Sequence, residues 1–173
     1  MELFILRHGE AGQRSSSLAG DRKRPLTSSG KLEISEIAKA LKIIGLKFDL
    51  VITSPLKRAY DTATIVSKIF NIGNKIQIWN ELAPEGQKTD LYRKISELKE
   101  EYTVLMVGHQ PLLGDIANDI IHRGKSTQCN LVLKKGGIMR IRLLKRSSVP
   151  RGELRWLISP GLLRDVKKKK KGN

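Results

Sequence analysis

Short, uniformly apolar runs recur along this chain and alternate with longer segments that have a different pattern. Residues 3–6, 50–52 and 104–107 are apolar at every position, which predicts three strands that are buried on both faces. The apolar positions within residues 76–78 predict a weaker fourth strand. The segments between these runs are long enough to hold the helices that parallel strands need as connections.

Between the strands, apolar side chains recur every three or four residues, which is the helical period. Residues 28–44 follow this period and stop at Gly45, a natural helix end. A second helix is predicted to open with Ser54 as its N-cap and Pro55 at its first helical position. Its buried stripe is expected at Ala59, Ala63, Val66 and Phe70, and two further helices at residues 89–100 and 112–121.

The last third of the chain changes to strand-like spacing. It predicts strands separated by glycine-containing turns at residues 131–133, 139–143 and 154–158. Alternating strands and helices with a β-rich end predict an α/β fold, a three-layer sandwich whose central, mostly parallel mixed sheet has helices on both faces. We expect residues 1–166 to form a single domain and residues 167–173 a basic, disordered tail.

The composition is that of a globular protein. Of the 173 residues, 39% are hydrophobic and 29% are charged, which argues against a disordered chain. No apolar run is long enough to span a bilayer, and polar residues follow residue 6 too early for a signal peptide. The single cysteine, Cys129, excludes an internal disulfide and gives no basis for a cysteine-based metal site. We therefore expect a cytoplasmic protein, with Cys129 as a small, at least half-buried side chain.

The chain is strongly basic, with a formal net charge of +16. The five lysines from Lys167 to Lys171 account for less than a third of this excess. Such a surface attracts polyanions, including nucleic acid, phosphorylated protein, anionic lipid and polyphosphate. A basic surface that only keeps a protein soluble has the same composition, so charge alone does not choose between these interpretations.

Three of the predicted strands end on residues suited to phosphate chemistry. The first delivers Arg7 and His8, the second leads to Arg58, and the third delivers His109. Because ligands bind beyond the carboxyl ends of parallel strands, we expect these side chains to meet at one edge of the sheet. Arginine pairs bidentately with phosphoryl oxygens, and a histidine that titrates near neutrality can attack as the free base. The group predicts transfer of a phosphoryl group onto His8.

The position of Arg58 adds to this prediction. Arg58 lies in the opening turn of its predicted helix, where the helix dipole disfavours a cation by about 0.3–1 kcal/mol. A cation in that turn fits an anion bound at the helix N-terminus, where free N–H groups already favour one. The alternative is that a chain this basic places a Lys-Arg pair almost anywhere.

The motifs form an ordered set along the chain. Taken in order, the pieces are Leu6 to Ala11, Asp21 with Arg24-Pro25-Leu26-Thr27 and Gly30, Ser54-Pro55 with Arg58, Ala59, Thr62 and Ala63, Gly108 to Pro111, Gly136-Gly137, and Leu154-Arg155-Trp156 with Pro160. This set resembles the histidine phosphatase (phosphoglycerate mutase-like) superfamily, whose signature is an Arg-His-Gly near the N-terminus, and most closely its short, SixA-like phosphohistidine phosphatase branch. The resemblance covers nearly the whole chain up to Pro160, and the lysine-rich tail falls outside it.

The resemblance implies a mechanism through a phosphorylated enzyme. His8 is then the nucleophile, which becomes phosphorylated and is afterwards hydrolysed by water. Two arginines and a second histidine supply the positive charge around the transferring group, so no metal or other cofactor is expected. The residues expected to bind the phosphate are Arg7, Gly9, Ser54, Arg58 and His109.

The chain departs from larger members of the superfamily at the general acid. Those relatives carry an acidic residue in the loop after the third strand or directly after the second histidine. Gln110 follows His109 here, which leaves the loop residues Glu81 and Glu85, and we favour Glu81. A missing strong acid matters little for phosphohistidine, because imidazole leaves more easily than an alkoxide. We therefore expect hydrolysis of phosphohistidine on a protein partner.

Two other functions stay open on the sequence alone. One is a small-molecule phosphomonoesterase that acts on a sugar phosphate or a nucleotide. A phosphoglycerate mutase is disfavoured, because the chain lacks the extra segments that close over the substrate in those longer relatives. The other, from a different class, is a polyanion-binding protein with a vestigial phosphatase pocket, which would use the basic surface and the lysines from Lys167 to Lys171.

Overall fold

The computed structural model describes residues 1–122, 131–145 and 147–163. Cys129 and the lysines from Lys167 to Lys171 lie outside these ranges, so the expectations for them stay predictions. Within the described ranges, none of the helices combines the length and the apolar character that crossing a membrane requires. The strands are β1 (Glu2–Arg7), β2 (Leu50–Thr53), β3 (Ile76–Ile78), β4 (Thr103–Gly108), β5 (Ile138–Lys145) and β6 (Arg151–Ile158), and the helices are α1 (Leu18–Lys23), α2 (Ser28–Ile43), α3 (Lys57–Phe70), α4 (Lys88–Glu97) and α5 (Leu112–His122).

The described strands form one sheet in the order β3-β2-β4-β1-β5-β6. Strands β3, β2, β4 and β1 are parallel to one another, whereas β5 pairs antiparallel with β1 and β6 antiparallel with β5. The prediction of an α/β fold around a mostly parallel mixed sheet is therefore confirmed. Because β1, β4 and β2 are adjacent and parallel, their carboxyl ends lie at the same edge of the sheet.

Two apolar cores lie on opposite faces of this sheet, because successive side chains of a strand point to opposite faces. Leu3 and Ile5 of β1 belong to the core that includes the buried side chains of α4 and α5. Phe4 and Leu6 belong to the second core, together with the buried side chains of α2 and α3. The helices thus cover both faces and complete the three-layer sandwich.

Helix α3 begins later than the sequence predicts. It starts at Lys57, with Leu56 rather than Ser54 at the N-cap, and no side chain caps it. The Ser54 Oγ atom accepts a hydrogen bond from the Leu56 N–H, ahead of the first helical residue, and also lies 2.9 Å from His109 Nε2. Lys57 and Arg58 nevertheless occupy the opening turn of the helix, as predicted.

Residues 131–133 do not form the strand that their apolar side chains predict. The Leu133 carbonyl accepts a hydrogen bond of 2.7 Å from the Arg7 guanidinium, and the Leu131 carbonyl accepts one of 3.1 Å from the Gln110 side-chain amide. These carbonyls therefore serve side chains instead of a strand ladder. The polar stretch after Gly9 also differs from a plain loop, because it contains the six-residue helix α1.

Close packing of α2 on the loop after His8 gives a first testable prediction. A Cβ atom on Gly30 would lie 2.2 Å from the Glu10 carbonyl oxygen, so only a backbone shift could relieve the clash. We expect Gly30→Ala to lower the free energy of unfolding by about 1–3 kcal/mol, measured by urea denaturation. Gly73→Ala is the matched control, because a Cβ there meets no atom within 4 Å. Equal denaturation midpoints for the two variants would contradict the packing.

Candidate active site

Three adjacent parallel strands bring their carboxyl ends to the same level. The register pairs Arg7 of β1 with Gly108 of β4, and Thr53 of β2 with Val107 of β4. One residue beyond β1, the His8 N–H still donates to the Gly108 carbonyl at 3.1 Å. The residues that follow these strands are therefore neighbours at one edge of the sheet, where parallel α/β folds bind ligands.

A cavity of about 600 Å³ opens at this edge. Strand ends form its floor, and its walls come from α1, the segments on either side of α1, and the loop before α4. Three of the predicted site residues that line it are almost fully buried: His8 is 7% exposed, Arg58 5% and His109 3%. The described residues that line the cavity are Arg7, His8, Arg14, Leu18, Asp21, Arg22, Arg24, Leu56, Arg58, Pro84, Glu85, His109, Gln110, Pro111 and Lys135.

The His8 ring is held with its Nε2 atom available for attack. His8 Nδ1 lies 2.7 Å from the Gly9 carbonyl oxygen. Because a carbonyl oxygen only accepts, the proton is assigned to Nδ1 and the lone pair to Nε2. The Gly9 N–H in turn donates to Thr62 Oγ1 at 3.2 Å, and that hydroxyl donates to the Arg58 carbonyl at 2.8 Å. Helix α3 thereby fixes both the orientation and the tautomer of His8.

The second histidine faces the first one. The ring centroids of His8 and His109 are 4.9 Å apart. His109 Nε2 lies 2.9 Å from Ser54 Oγ, an oxygen that also accepts a bond of 3.3 Å from the Leu56 N–H. This pattern favours the Ser54 hydroxyl as the donor to Nε2, which leaves a proton on His109 Nδ1. We therefore describe His109 as a buried N–H donor.

The guanidinium groups are held by acceptors that leave part of each group free. Arg58 Nη1 lies 2.8 Å from the Asp21 carbonyl oxygen and 3.2 Å from Asp21 Oδ2. Arg24 Nη2 lies 3.0 Å from the other carboxylate oxygen of Asp21, an ion-pair contact in which that oxygen accepts no hydrogen bond from a described residue. Arg7 Nη1 is held by the Leu133 carbonyl at 2.7 Å. These contacts preorganise positive charge at the cavity before any ligand binds.

Several buried nitrogen atoms of the lining residues have no hydrogen-bond partner. Among the described residues, these include Arg7 Nε, Arg24 Nε, Arg58 Nε and His109 Nδ1. An unpaired buried donor costs about 1–3 kcal/mol, so these donors favour an acceptor group bound in the cavity. A tetrahedral oxyanion carries both the charge and the acceptor oxygens that these groups lack. The cavity is therefore chemically suited to a phosphoryl group.

Burial controls the ionisation of both histidines. The pKa of His8 is lowered to about 4, chiefly by burial; the bond to Gly9 opposes the shift, and the positive charges of Arg58 and Arg7 add to it. Burial likewise lowers the pKa of His109 far below the usual range. His109 is thus a neutral donor rather than the third positive charge that was predicted from the sequence. The positive charge comes from the arginines.

These shifts predict how the free protein titrates. Because the pKa of His8 is near 4, its imidazole should remain neutral at about pH 5.5, where an unperturbed histidine is mostly protonated. Protonation, which removes the attacking lone pair, should occur only as the pH falls toward 4. A ¹⁵N NMR titration of the imidazole checks this prediction. A His8 midpoint at the ordinary value of 6.5 would contradict the buried geometry.

Three residues predicted from the sequence do not line the cavity. Gly9 and Ser54 lie behind the histidines and hold them by hydrogen bonds, so their expected contact with phosphate is revised to a positioning role. Glu81 is turned toward α4, where the Lys94 Nζ atom lies 2.7 Å from its carboxylate. Glu85, the other loop carboxylate considered, does line the cavity.

Three polar residues belong to this site although the sequence predicted no chemical role for them. Asp21 and Arg24 complete the guanidinium network, and Thr62 links Gly9 to α3. The sequence signal that could have identified them is Asp21, because an isolated acidic residue in a basic loop can orient arginines.

In the part of the chain that the structure describes, no three His, Cys, Asp or Glu side chains are grouped as a metal site would require.

Comparisons with known proteins agree with this geometry. A sequence profile described as histidine phosphatase superfamily (branch 1) matches residues 3–84. The phosphohistidine phosphatase SixA of Escherichia coli strain K12 is 31% identical over 122 residues, which are 69% of this chain and 74% of SixA. An uncharacterized protein of Picosynechococcus sp. is 37% identical over 144 residues, which are 82% of this chain and 85% of that protein.

A solved structure gives the same result for the fold. The protein histidine phosphatase SixA complexed with tungstate superposes with a TM-score of 0.81 at 28% identity, over 94% of this chain and 99% of SixA. The sheet order and the superposition define the class as an α/β protein with the histidine phosphatase fold. The chain belongs to the histidine phosphatase superfamily and, within it, to the SixA-like branch. The resemblance seen in the sequence is therefore confirmed.

Proposed function

We propose that this protein hydrolyses phosphohistidine on a protein partner, without a metal ion, through a phosphorylated His8. The observation that carries the proposal is the unprotonated Nε2 of His8 in a cavity whose buried N–H donors have no acceptor among the described residues. The relatives support it, because one is named a phosphohistidine phosphatase and the solved structure is a protein histidine phosphatase that holds tungstate, a tetrahedral oxyanion.

The proposed reaction has two steps of phosphoryl transfer. In the first, His8 Nε2 attacks the phosphorus atom, and the bond from phosphorus to the substrate imidazole breaks. The leaving imidazole keeps the electron pair of that bond and takes a proton from solvent. In the second step a water attacks phospho-His8, which releases inorganic phosphate and restores the free base. Arg7 and Arg58 stabilise the phosphoryl oxygens through both steps.

The carboxylates near the cavity favour cleavage of a P–N bond over a P–O bond. Asp21 is engaged by two arginines, and Glu85 forms an ion pair with Arg22. The pKa of Glu85 is lowered, first by a backbone hydrogen bond and then by Arg22, so its carboxyl group is ionised at neutral pH. A poor general acid slows the departure of an alkoxide by about 10²–10⁴-fold, whereas imidazole needs far less assistance.

A substrate comparison tests this proposal. We expect kcat/KM for a phosphohistidine peptide to exceed that for the matching phosphoserine peptide and for a sugar phosphate by about 10²-fold or more. Malachite-green detection of released phosphate gives all three rates in one buffer, with a chelator present to exclude trace metal. His122→Ala, which changes the one histidine that does not line the cavity, is the matched control and should keep the same preference.

Each alternative function makes a different prediction in this comparison. Equal rates on phosphohistidine and phosphoserine, or faster turnover of the sugar phosphate, would overturn the substrate assignment and favour a small-molecule phosphomonoesterase. No turnover of any substrate, together with salt-sensitive retention on polyphosphate, would favour a polyanion-binding protein.

A further inference from the structure

The residues that line the cavity carry more positive charge than one phosphoryl group needs. Six cationic side chains line the cavity in the described part of the chain, against the two carboxylates of Asp21 and Glu85. Both carboxylates are already engaged by arginines. Arg14 and Lys135 are exposed, and neither forms an ion pair among residues 1–122, 131–145 and 147–163. Lys135 is close enough to the Glu10 carboxylate to interact with it electrostatically. A phosphoryl group brings about two negative charges, so this surplus suits further acidic groups on the substrate.

An apolar side chain projects into solvent at the same rim. Leu18, the first residue of α1, lines the cavity and is 88% exposed, the highest value among the exposed large hydrophobic side chains of the described residues. Helix α1 buries none of its residues, so Leu18 has no core to contact. The outer wall of the cavity thus combines an exposed leucine with two exposed cations that form no ion pair within the described ranges.

From this combination we infer that the rim is a docking surface for the acidic face of a folded protein that carries the phosphorylated histidine. This inference rests on the proposed function and adds to it how the partner is recognised. Arg14 and Lys135 pair with partner carboxylates around the phosphohistidine, and Leu18 packs on an apolar side chain of the partner. The rim, defined as Leu18 with Arg14 and Lys135, therefore distinguishes a protein substrate from a small phosphate ester.

The chemistry of the rim favours a protein over other polyanions. Nucleic acid and polyphosphate would use the cations but would leave Leu18 exposed to water. A protein surface supplies both carboxylates and apolar side chains, and burying an exposed leucine against it contributes to affinity. Charge at the rim also accelerates encounter with an acidic partner, an effect that salt suppresses.

The test compares phosphohistidine in two settings. One probe is an acidic histidine-containing phosphotransfer domain phosphorylated on its histidine, and the other is a short neutral phosphohistidine peptide. We expect the wild-type kcat/KM for the domain to exceed that for the peptide by about tenfold at low salt. This ratio should fall as salt rises but stay above one, because salt screens the charges and leaves the apolar contact of Leu18 intact. Leu18→Ser, and separately Arg14→Gln with Lys135→Gln, should each lower this ratio about fivefold.

Matched controls carry the same chemical changes away from the cavity. Leu32→Ser removes a leucine of α2 that is 65% exposed. Lys31→Gln combined with Lys68→Gln removes two positive charges from exposed positions, as many as the rim variant loses. Neither set lines the cavity, and both should leave the ratio within about twofold of wild type.

Several outcomes would overturn the inference. A wild-type ratio near one would do so while leaving the proposed function intact, because phosphohistidine is still hydrolysed. A lower ratio in the charge variant alone, with Leu18→Ser unchanged, would identify a general polyanion surface and reject protein docking. Turnover of an aryl phosphate without hydrolysis of either phosphohistidine probe would instead reject the proposed function, and the docking surface with it.

Discussion

Replacing His8 with alanine is expected to lower kcat for an aryl phosphate by about 10⁵-fold, the scale of loss seen when a covalent nucleophile is removed. The reason is geometric: His8 Nε2 is the unprotonated ring nitrogen in the cavity, since His109 Nε2 is engaged by the Ser54 hydroxyl. The second histidine therefore cannot replace the first as nucleophile. Stopped assays at high enzyme concentration measure the residual rate.

A loss of activity in this variant has to be separated from a loss of structure. Arg7 and Arg58 remain in place, so His8→Ala should still bind tungstate, seen as a rise in melting temperature when the anion is added. His122→Ala is the matched control and should keep activity within about twofold of wild type. Substantial turnover by a folded His8→Ala protein would show that another group attacks phosphorus.

The second large effect is expected at Arg58. Replacing this arginine with alanine should lower kcat/KM by about 10³-fold, because a guanidinium that faces the transferring phosphoryl group contributes on that scale. Arg58→Lys should recover little of the loss, since an ammonium group cannot form the bidentate contact or keep both bonds to Asp21. Steady-state kinetics with an aryl phosphate measures both variants.

The residue before Arg58 provides the control for this prediction. Lys57 carries the same charge in the same helical turn, but it is exposed and pairs with Asp61 on α3. Lys57→Ala should therefore stay within about twofold of wild type. Equal losses for the two alanine variants would mean that net charge near the helix N-terminus, rather than contact by Arg58, accounts for the effect.

The positions of Arg7, His8 and His109 could be predicted because each comes at the end of a short, clearly bounded apolar run. Once β1, β2 and β4 are assigned as parallel neighbours, the carboxyl ends of these three strands must lie at one edge of the sheet. This arrangement alone predicts that Arg7 and His8 lie beside His109, whatever the conformation of the loops. Arg58 follows from the start of α3, which places it in the first turn despite the error in the cap.

The parts that could not be predicted depend on contacts between distant segments. The carbonyl of Leu133 holds Arg7 across 126 positions of sequence, and no local pattern distinguishes such a segment from a strand. Helix α1 buries none of its residues, so it lacks the apolar period by which helices are recognised. Glu81 was a reasonable acid from the sequence, but its partner Lys94 comes from the next helix.

Gly9 and Ser54 show the same limit at closer range. Both residues lie within the predicted motifs, and both were expected to contact phosphate. Which polar atom points into the cavity depends on side-chain and backbone hydrogen bonds, namely Gly9 with His8 and Thr62, and Ser54 with His109. The sequence therefore indicates that these residues belong to the site but does not distinguish contact from support.

The central claim is that His8 carries the phosphoryl group during turnover, and trapping that intermediate tests it most directly. Enzyme is mixed with an equimolar amount of phosphohistidine substrate, quenched in alkali within milliseconds and digested, and the phosphopeptides are mapped by mass spectrometry. We predict an alkali-stable, acid-labile phosphoryl group on the peptide that contains His8, and none on that peptide in the His8→Ala variant. Phosphate on His109 or His122, or full turnover without any phosphopeptide, would contradict the account.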